Sequence, residues 1–186
     1  EEISTLARQK WWKERDGGSG DANLWFRPLN MKKEADRYRT ARHEAWRDIH
    51  GMSVPFDGDG FVKDALRCWR QDPDKAVMWA MRRDEPAGIL QLDLERDAAQ
   101  GVGYIPFFYM MPQLRCQGLG VQLLGQAVST FRPLGRTRLR LRCAPDNGRA
   151  QRFYQKHGFV KVGEEQGARV PLDILEKNIG FETKEE

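Results

Sequence analysis

The residues with the clearest chemical promise are Arg115-Cys116-Gln117-Gly118-Leu119-Gly120. They sit between an apolar run that ends at Met111 and a helix-patterned run that begins near Gly118. A strand, a glycine-containing turn and a helix N-terminus together make an anion site. The first helical turn leaves backbone N–H groups unpaired, and the helix dipole favours negative charge there. Gly118 and Gly120 remove side chains where a phosphate would approach. Two other phosphate loops are excluded. A Rossmann fingerprint needs a third glycine where this chain has Leu123, and an acid about 20 residues further on. That region instead reads Arg138-Leu139-Arg140-Leu141-Arg142. No G-x-x-x-x-G-K-S/T string of a Walker loop occurs. What remains is R-x-x-G-x-G after a strand.

The elements that must position this loop follow from periodicity. Leu24–Leu29 reads as a strand. Ala35, Tyr38, Ala41, Ala45, Trp46 and Ile49 recur at helical spacing and predict an amphipathic helix over 31–50. A Gly/Pro/Asp-rich loop spans 51–60, and helix resumes over 61–71. Strands are predicted at 76–81, 89–95, 103–111, 137–143, 160–163 and 168–175, with helices at 118–131 and 147–157. Asn147 suits a helix N-cap and Gly158 the position after a helix C-terminus. The order β-α-α-β-β-β-α-β-α-β-β implies an α/β or α+β sheet covered on both faces. Residues 1–22 contain a helix-forming stretch, Trp11-Trp12 and a Gly/Ser linker. They read as an N-terminal arm or the tail of an upstream domain, with the main domain at 23–186.

Composition fits that picture. A chain of 186 residues that is 40% apolar and 31% charged has the make-up of one soluble globular domain. The richest apolar runs, Val77–Met81 and Ile105–Met111, fall far short of the roughly 20 residues of a membrane span. Cys68, Cys116 and Cys143 form no CxxC pair, which argues against a zinc ribbon or a disulfide framework. Their usage suits a reducing compartment, so a cytoplasmic location is expected. His43 and His50 share a helix side but are too far apart to share a metal, and no metal site is expected. A net charge of +4 is compatible with an anionic ligand without demanding nucleic acid.

A second block, Asn147-Gly148-Arg149-Ala150 followed by Phe153-Tyr154 and Gly158-Phe159, lies one helix, one strand and a turn beyond Gly120. Arg115–Gly120 matches Q/R-x-x-G-x-G/A, and the later block matches N-x-x-A-x-x-F/Y-Y-x-x-x-G-F. In both, the chain resembles the GNAT superfamily of acyl-CoA N-acyltransferases. The resemblance covers about residues 24–175, with the motifs in 107–159. It implies the GNAT fold: a mixed, mostly antiparallel sheet of about seven strands, splayed between strands 4 and 5 and flanked by about four helices. It implies acetyl-CoA as cosubstrate, a primary amine of a small molecule or peptide as acceptor, and direct attack within a ternary complex.

Under the resemblance, the pyrophosphate lies on N–H groups of Gln117, Gly118, Leu119, Gly120 and Val121, in a loop that includes Arg115 and Cys116. The pantetheine arm pairs with the backbone near Phe108 and Met110, and the Met110 N–H serves as oxyanion donor. Asn147 belongs to the cofactor site, and the Tyr154 hydroxyl stands beside the coenzyme A sulfur. Arg149, Arg152 and Lys156 are expected near the 3′-phosphate. The fourth strand lacks the Glu that some members carry, so Asp93, Glu95, Tyr104 and Tyr109 become candidates for the base. The loop with His50, Phe56, Asp57 and Asp59 becomes a candidate acceptor wall, in which carboxylates would hold a cationic amine.

Arg136, Arg138, Arg140 and Arg142 alternate along one strand and share a face. That stripe would suit a 3′-phosphate, an acidic partner or RNA. With low net charge and no interleaved aromatics, a solvated face, or one paired with acids such as Glu164, Glu165 or Asp173, is the preferred reading. A non-catalytic domain that binds acyl-CoA or docks a partner is the alternative to an enzyme, and a homodimer is left open.

Overall fold

The computed structural model describes residues 23–181, so the expected N-terminal arm at 1–22 lies outside the described residues. Seven strands form one sheet: β1 (Leu24–Pro28), β2 (Val77–Arg82), β3 (Glu85–Asp93), β4 (Val102–Met110), β5 (Arg138–Cys143), β6 (Val160–Glu165) and β7 (Leu172–Asn178). Their spatial order is β1-β2-β3-β4-β5-β7-β6. Every neighbouring pair is antiparallel except β4 and β5. Four helices accompany them: α1 (Met31–His50), α2 (Gly58–Gln71), α3 (Gly120–Phe131) and α4 (Gly148–Lys156). This is the GNAT fold. No helix among the described residues is long and apolar enough to cross a membrane.

The element order matches the expectation, and three elements differ from their expected bounds by three residues or more. Helix α2 starts at Gly58 rather than 61, because the Asp57 carboxylate accepts the Gly60 N–H at 3.0 Å and caps it. Strand β3 starts at Glu85, across a tight turn from β2, rather than at 89. The last strand runs over Leu172–Asn178 instead of 168–175.

Two cores lie on opposite faces of the sheet. Helices α1 and α2 cover one face, burying Tyr38, Ala65 and Cys68 against Trp79, Ile89, Phe107 and Tyr109. Helices α3 and α4 cover the other, burying Leu124, Phe131 and Tyr154 against Leu90, Leu92, Leu139 and Leu141. Strand alternation explains the division along β3.

A buried polar chain ties α1 and α2 to β3. Tyr38 donates its hydroxyl proton to Gln91, whose amide reaches Asp64 at 3.2 Å. Arg67 bridges Asp64 at 2.8 Å and Asp93 at 2.6 Å, and Gln71 donates to Asp93 at 2.9 Å. Burial alone would raise the Asp93 pKa. Bonds from Arg67, Gln71 and the N–H groups of Arg96 and Glu95 outweigh it and hold the group below the usual carboxylate range.

A carboxyl whose pKa is depressed on folding contributes stability above its unfolded pKa of about 4, and that contribution is lost as pH falls through the folded value. Asp93→Asn is therefore expected to lower stability at pH 7 by about 1.5–3 kcal/mol, the worth of a charge-assisted hydrogen bond to a buried carboxylate whose Arg67 partner is half exposed. It should also flatten the acid limb of a denaturation profile taken from pH 7 to 3. An unchanged acid limb would show that Asp93 does not contribute to it.

Candidate active site

Strands β4 and β5 pair only through Val102↔Arg138, Gly103↔Leu139 and Tyr104↔Arg140. Beyond Tyr104 they part, although β4 runs on to Met110. At the same point the β3–β4 register shifts, so that Ile105 and Pro106 form an irregular step. Proline brings no N–H to a ladder, which fits a position where pairing stops. From there, the edge of β4 toward β5 is open.

The backbone direction on that edge can be fixed. The Met111 N–H donates to the Ala87 carbonyl at 2.9 Å, on the β3 side. Backbone groups alternate sides along a strand, so the N–H groups of Phe108 and Met110 face the gap. The Met110 carbonyl, on the same side, accepts from Arg115 Nε at 2.8 Å.

The gap opens into a cavity of about 1140 Å³ that reaches both faces of the sheet. On the α3–α4 side its lining includes Phe108, Met110, Arg115, Cys116, Gly118 and Leu119, and then Gly120, Val121, Asn147 and Tyr154. The structure thus brings together every expected site residue except Gln117. That side chain instead donates to the Gln113 carbonyl at 3.0 Å and accepts from Arg82 at 3.3 Å.

The loop before α3 is built by backbone conformation. Cys116 and Gly118 both adopt positive φ, 61° and 73°. No side chain caps the N-terminus of α3. The two glycines serve different ends. Gly118 has open space around it and is required by its φ. A Cβ on Gly120 would stand 2.9 Å from the Phe153 ring, so this glycine admits α4 against α3. Gly120 thus has a packing role beside the one expected of it at a phosphate. Arg115 also differs from a simple anion ligand, since its guanidinium reaches Asp48 at 3.1 Å as well as the Met110 carbonyl.

Helix α4 is capped by Asn147, whose side chain accepts the Ala150 N–H at 3.4 Å, and Gly158 leaves it at φ 87°. The helix presents Arg149, Arg152 and Lys156 to the cavity. It also sets Tyr154 edge-on to Phe108, with ring centres 5.8 Å apart. No described residue hydrogen-bonds the Tyr154 hydroxyl. Burial, with a smaller contribution from Cys143, pushes the phenol well above its ordinary pKa, so it remains a protonated donor.

The α1–α2 side forms the other end of the cavity, with Arg42, Trp46, Phe61 and Phe107 in its wall. No motif marks these residues. Their only sequence signal is helical spacing, Arg42 being one turn from Tyr38 and from Trp46.

The candidate bases fare poorly here. Asp93 is locked as described. Tyr109 donates to Glu44 at 3.0 Å, and burial together with that bond raises its pKa. Burial raises Tyr104 too, and its hydroxyl has no hydrogen-bond partner among the described residues. Glu95 is exposed and stands outside the cavity lining.

Three of the four alternating arginines pair with acids, as the preferred reading allows, while Arg136 donates to the Leu134 and Leu94 carbonyls. Arg142 reaches Glu165, one of the acids expected, at 3.2 Å. The other partners are different ones: Arg140 bridges Asp97 at 2.8 Å and Glu176 at 3.2 Å, and Arg138 reaches Glu176 at 2.9 Å.

The sequence profile of the Acetyltransferase (GNAT) family matches residues 38–159. The chain belongs to that family of acetyltransferases. No curated protein sequence matches it. Among solved structures it is similar to an acetyltransferase from Thermus thermophilus, with 22% identity and a TM-score of 0.66 over 85% of this chain and 98% of that one. It is also similar to the PaiA N-acetyltransferase of Thermoplasma acidophilum in complex with coenzyme A, with 16% identity and a TM-score of 0.65 over 84% and 99%. A third is Arabidopsis thaliana Naa50 in complex with a bisubstrate analogue, CoA-Ac-MVNAL, with 17% identity and a TM-score of 0.63 over 83% and 97%.

Adding a methyl group at position 120 is expected to destabilise the protein by about 1–3 kcal/mol through overpacking against Phe153. Chemical denaturation of Gly120→Ala measures it, and Phe153→Leu in the same chain should recover part of the loss. No loss in Gly120→Ala would mean that Phe153 moves aside freely.

Proposed function

We propose that this protein transfers the acetyl group of acetyl-CoA to a primary amine by direct attack within a ternary complex. The observation that carries this reading is the open β4 edge, with the Phe108 and Met110 N–H groups facing a gap that Tyr154 lines from the other side. The pantetheine arm would take the place of the missing β5 pairing. The pyrophosphate would rest on the uncapped N-terminus of α3, where free N–H groups and the dipole favour an anion. Arg149, Arg152 and Lys156 would meet the 3′-phosphate.

In the reaction, the nitrogen lone pair of a neutral amine attacks the thioester carbonyl carbon. The Met110 N–H stabilises the charge that develops on the carbonyl oxygen. The C–N bond forms, the C–S bond breaks, and coenzyme A leaves as the thiolate. Tyr154 donates a hydrogen bond to that sulfur. A phenol held above its ordinary pKa is a weak acid, so its part is to stabilise the thiolate rather than to protonate it fully. With Asp93, Tyr104 and Tyr109 engaged or buried, the amine's proton leaves to solvent.

Turnover is measured with acetyl-CoA and an amine panel by detection of the free thiol. Tyr154→Phe is expected to lower kcat about 10- to 1000-fold with little change in acetyl-CoA affinity, measured by calorimetric titration. Equal turnover in both forms would remove Tyr154 from the mechanism. Binding of acetyl-CoA by the folded wild type without transfer to any amine would favour a non-catalytic acyl-CoA-binding domain. The rate should rise with pH as the acceptor loses its proton and show no decline from tyrosine ionisation below pH 10. A falling limb in the wild type that vanishes in Tyr154→Phe would contradict that.

A further inference from the structure

Acids and arginines both line the α1–α2 end of the cavity, but the acids are already engaged. Asp57 caps α2 through the Gly60 N–H. Asp64 is held by Arg67 and Gln91, and Asp93 by Arg67, Gln71 and two backbone N–H groups. Asp48 holds Arg115 at 3.1 Å. In the first turn of α2, Asp59 pairs with Arg39. The expectation that Asp57 and Asp59 would hold a cationic amine therefore has no free carboxylate behind it.

Arg42 is the opposite case. It is half-buried and lines the cavity, yet no carboxylate among the described residues pairs with it. Its Nε donates to the Tyr38 hydroxyl oxygen at 2.9 Å and its Nη2 to the Pro106 carbonyl at 3.1 Å. Its Nη1 has no described partner. The guanidinium lies 3.9 Å from the centre of the Phe107 ring and 4.5 Å from that of Phe61. Two anchored nitrogens and two flanking rings fix its orientation, and a half-buried cation of fixed orientation is suited to an anion.

We propose that Arg42 binds an anionic group on the acceptor, so that the acceptor is a primary amine carrying a carboxylate or comparable anion several bonds from its nitrogen. This rests on the transferase reading above. The spacing follows from β4. Arg42 is tied to Pro106, four residues before Met110, which along a strand is about 13 Å, shortened at each end by the contact distance to the guanidinium and to the thioester. The anion of glycine would fall short of Arg42 while its amine reached the thioester. A longer ω-amino acid spans the distance between apolar walls.

The test compares glycine, γ-aminobutyrate and ε-aminocaproate, each against its uncharged amide, as acceptors for the wild type, Arg42→Gln and Arg42→Lys. For the wild type, kcat/KM for ε-aminocaproate should exceed that for its amide by about 10- to 100-fold, the worth of a hydrogen-bonded charge, with little acid preference for glycine. Arg42→Gln should bring the acid-to-amide ratio near one, the ratio being read within the variant so that any general loss from releasing the Pro106 carbonyl cancels. Arg42→Lys should retain part of the preference, and it serves as the test if Arg42→Gln does not fold. A wild type indifferent to the charge, or a preference that survives Arg42→Gln, overturns the proposal and leaves the transferase reading standing.

Calorimetric titration of ε-aminocaproate and its amide onto the protein loaded with coenzyme A separates the two ideas. If no amine is acetylated, the transferase reading fails, yet Arg42-dependent binding of the acid over the amide supports the proposal. Equal binding of both overturns it.

Discussion

The structure depends on a ladder that stops. Three residues of parallel pairing hold β4 to β5, and then the strands diverge while β4 continues. A parallel pair would ordinarily propagate, because every second residue of each strand adds evenly spaced hydrogen bonds to its neighbour. Here the step at Ile105 and Pro106 interrupts the strand where pairing ends. The unpaired edge that results is unfavourable in a buried setting, since backbone N–H groups away from water need partners. The same edge makes a slot of the right polarity for an extended chain with amide groups.

Everything else can be seen as holding that opening at one width. At its closed end, Arg140 stands directly opposite Glu176 on β7 and reaches Asp97 in the connection before β4. Arg138 adds Glu176 and the Gln100 carbonyl at 2.8 Å. This clasp joins the two halves of the sheet where their backbone contact is shortest. At the open end, α4 packs on α3 through Phe153 against Gly120, which fixes the distance from the loop to Tyr154. On the opposite face, Arg42 grips the Pro106 carbonyl at the step itself. Fold and site therefore share their determinants: the residues that keep the strands apart also line what lies between them.

Much of this is legible in the chain. The order of elements follows from periodicity, and the loop before α3 and the cap of α4 are written in local residue types, glycine at positive φ and asparagine at an N-terminus. Local rules fail where the partner is distant. The alternating arginines announce a charged face, but Asp97 and Glu176 are identified only by sheet order, which puts β7 between β5 and β6. Asp57 and Asp59 read as acceptor ligands until a helix start and Arg39 claim them. Helical spacing does not announce the role of Arg42, because that role lies in the lack of a carboxylate beside it among the described residues, which exists only in three dimensions. The candidate base suffers likewise: Asp93 alternates correctly along β3, but its bonds to α2 hold it ionised.

Gly120 and Phe153 lie in separate motifs, far apart along the chain, yet they occupy one volume. A glycine ahead of a helix invites a phosphate explanation, and a phenylalanine inside a helix invites a core one. Their contact makes them a single constraint written in two places. Sequence drift at one position is then not free of the other. A related chain with alanine at the first site can keep the helices at this separation if the second ring is smaller or turned. Substitutions at the two positions should therefore travel together through descent, and the pairing would persist in lineages that had given up catalysis but kept the shape.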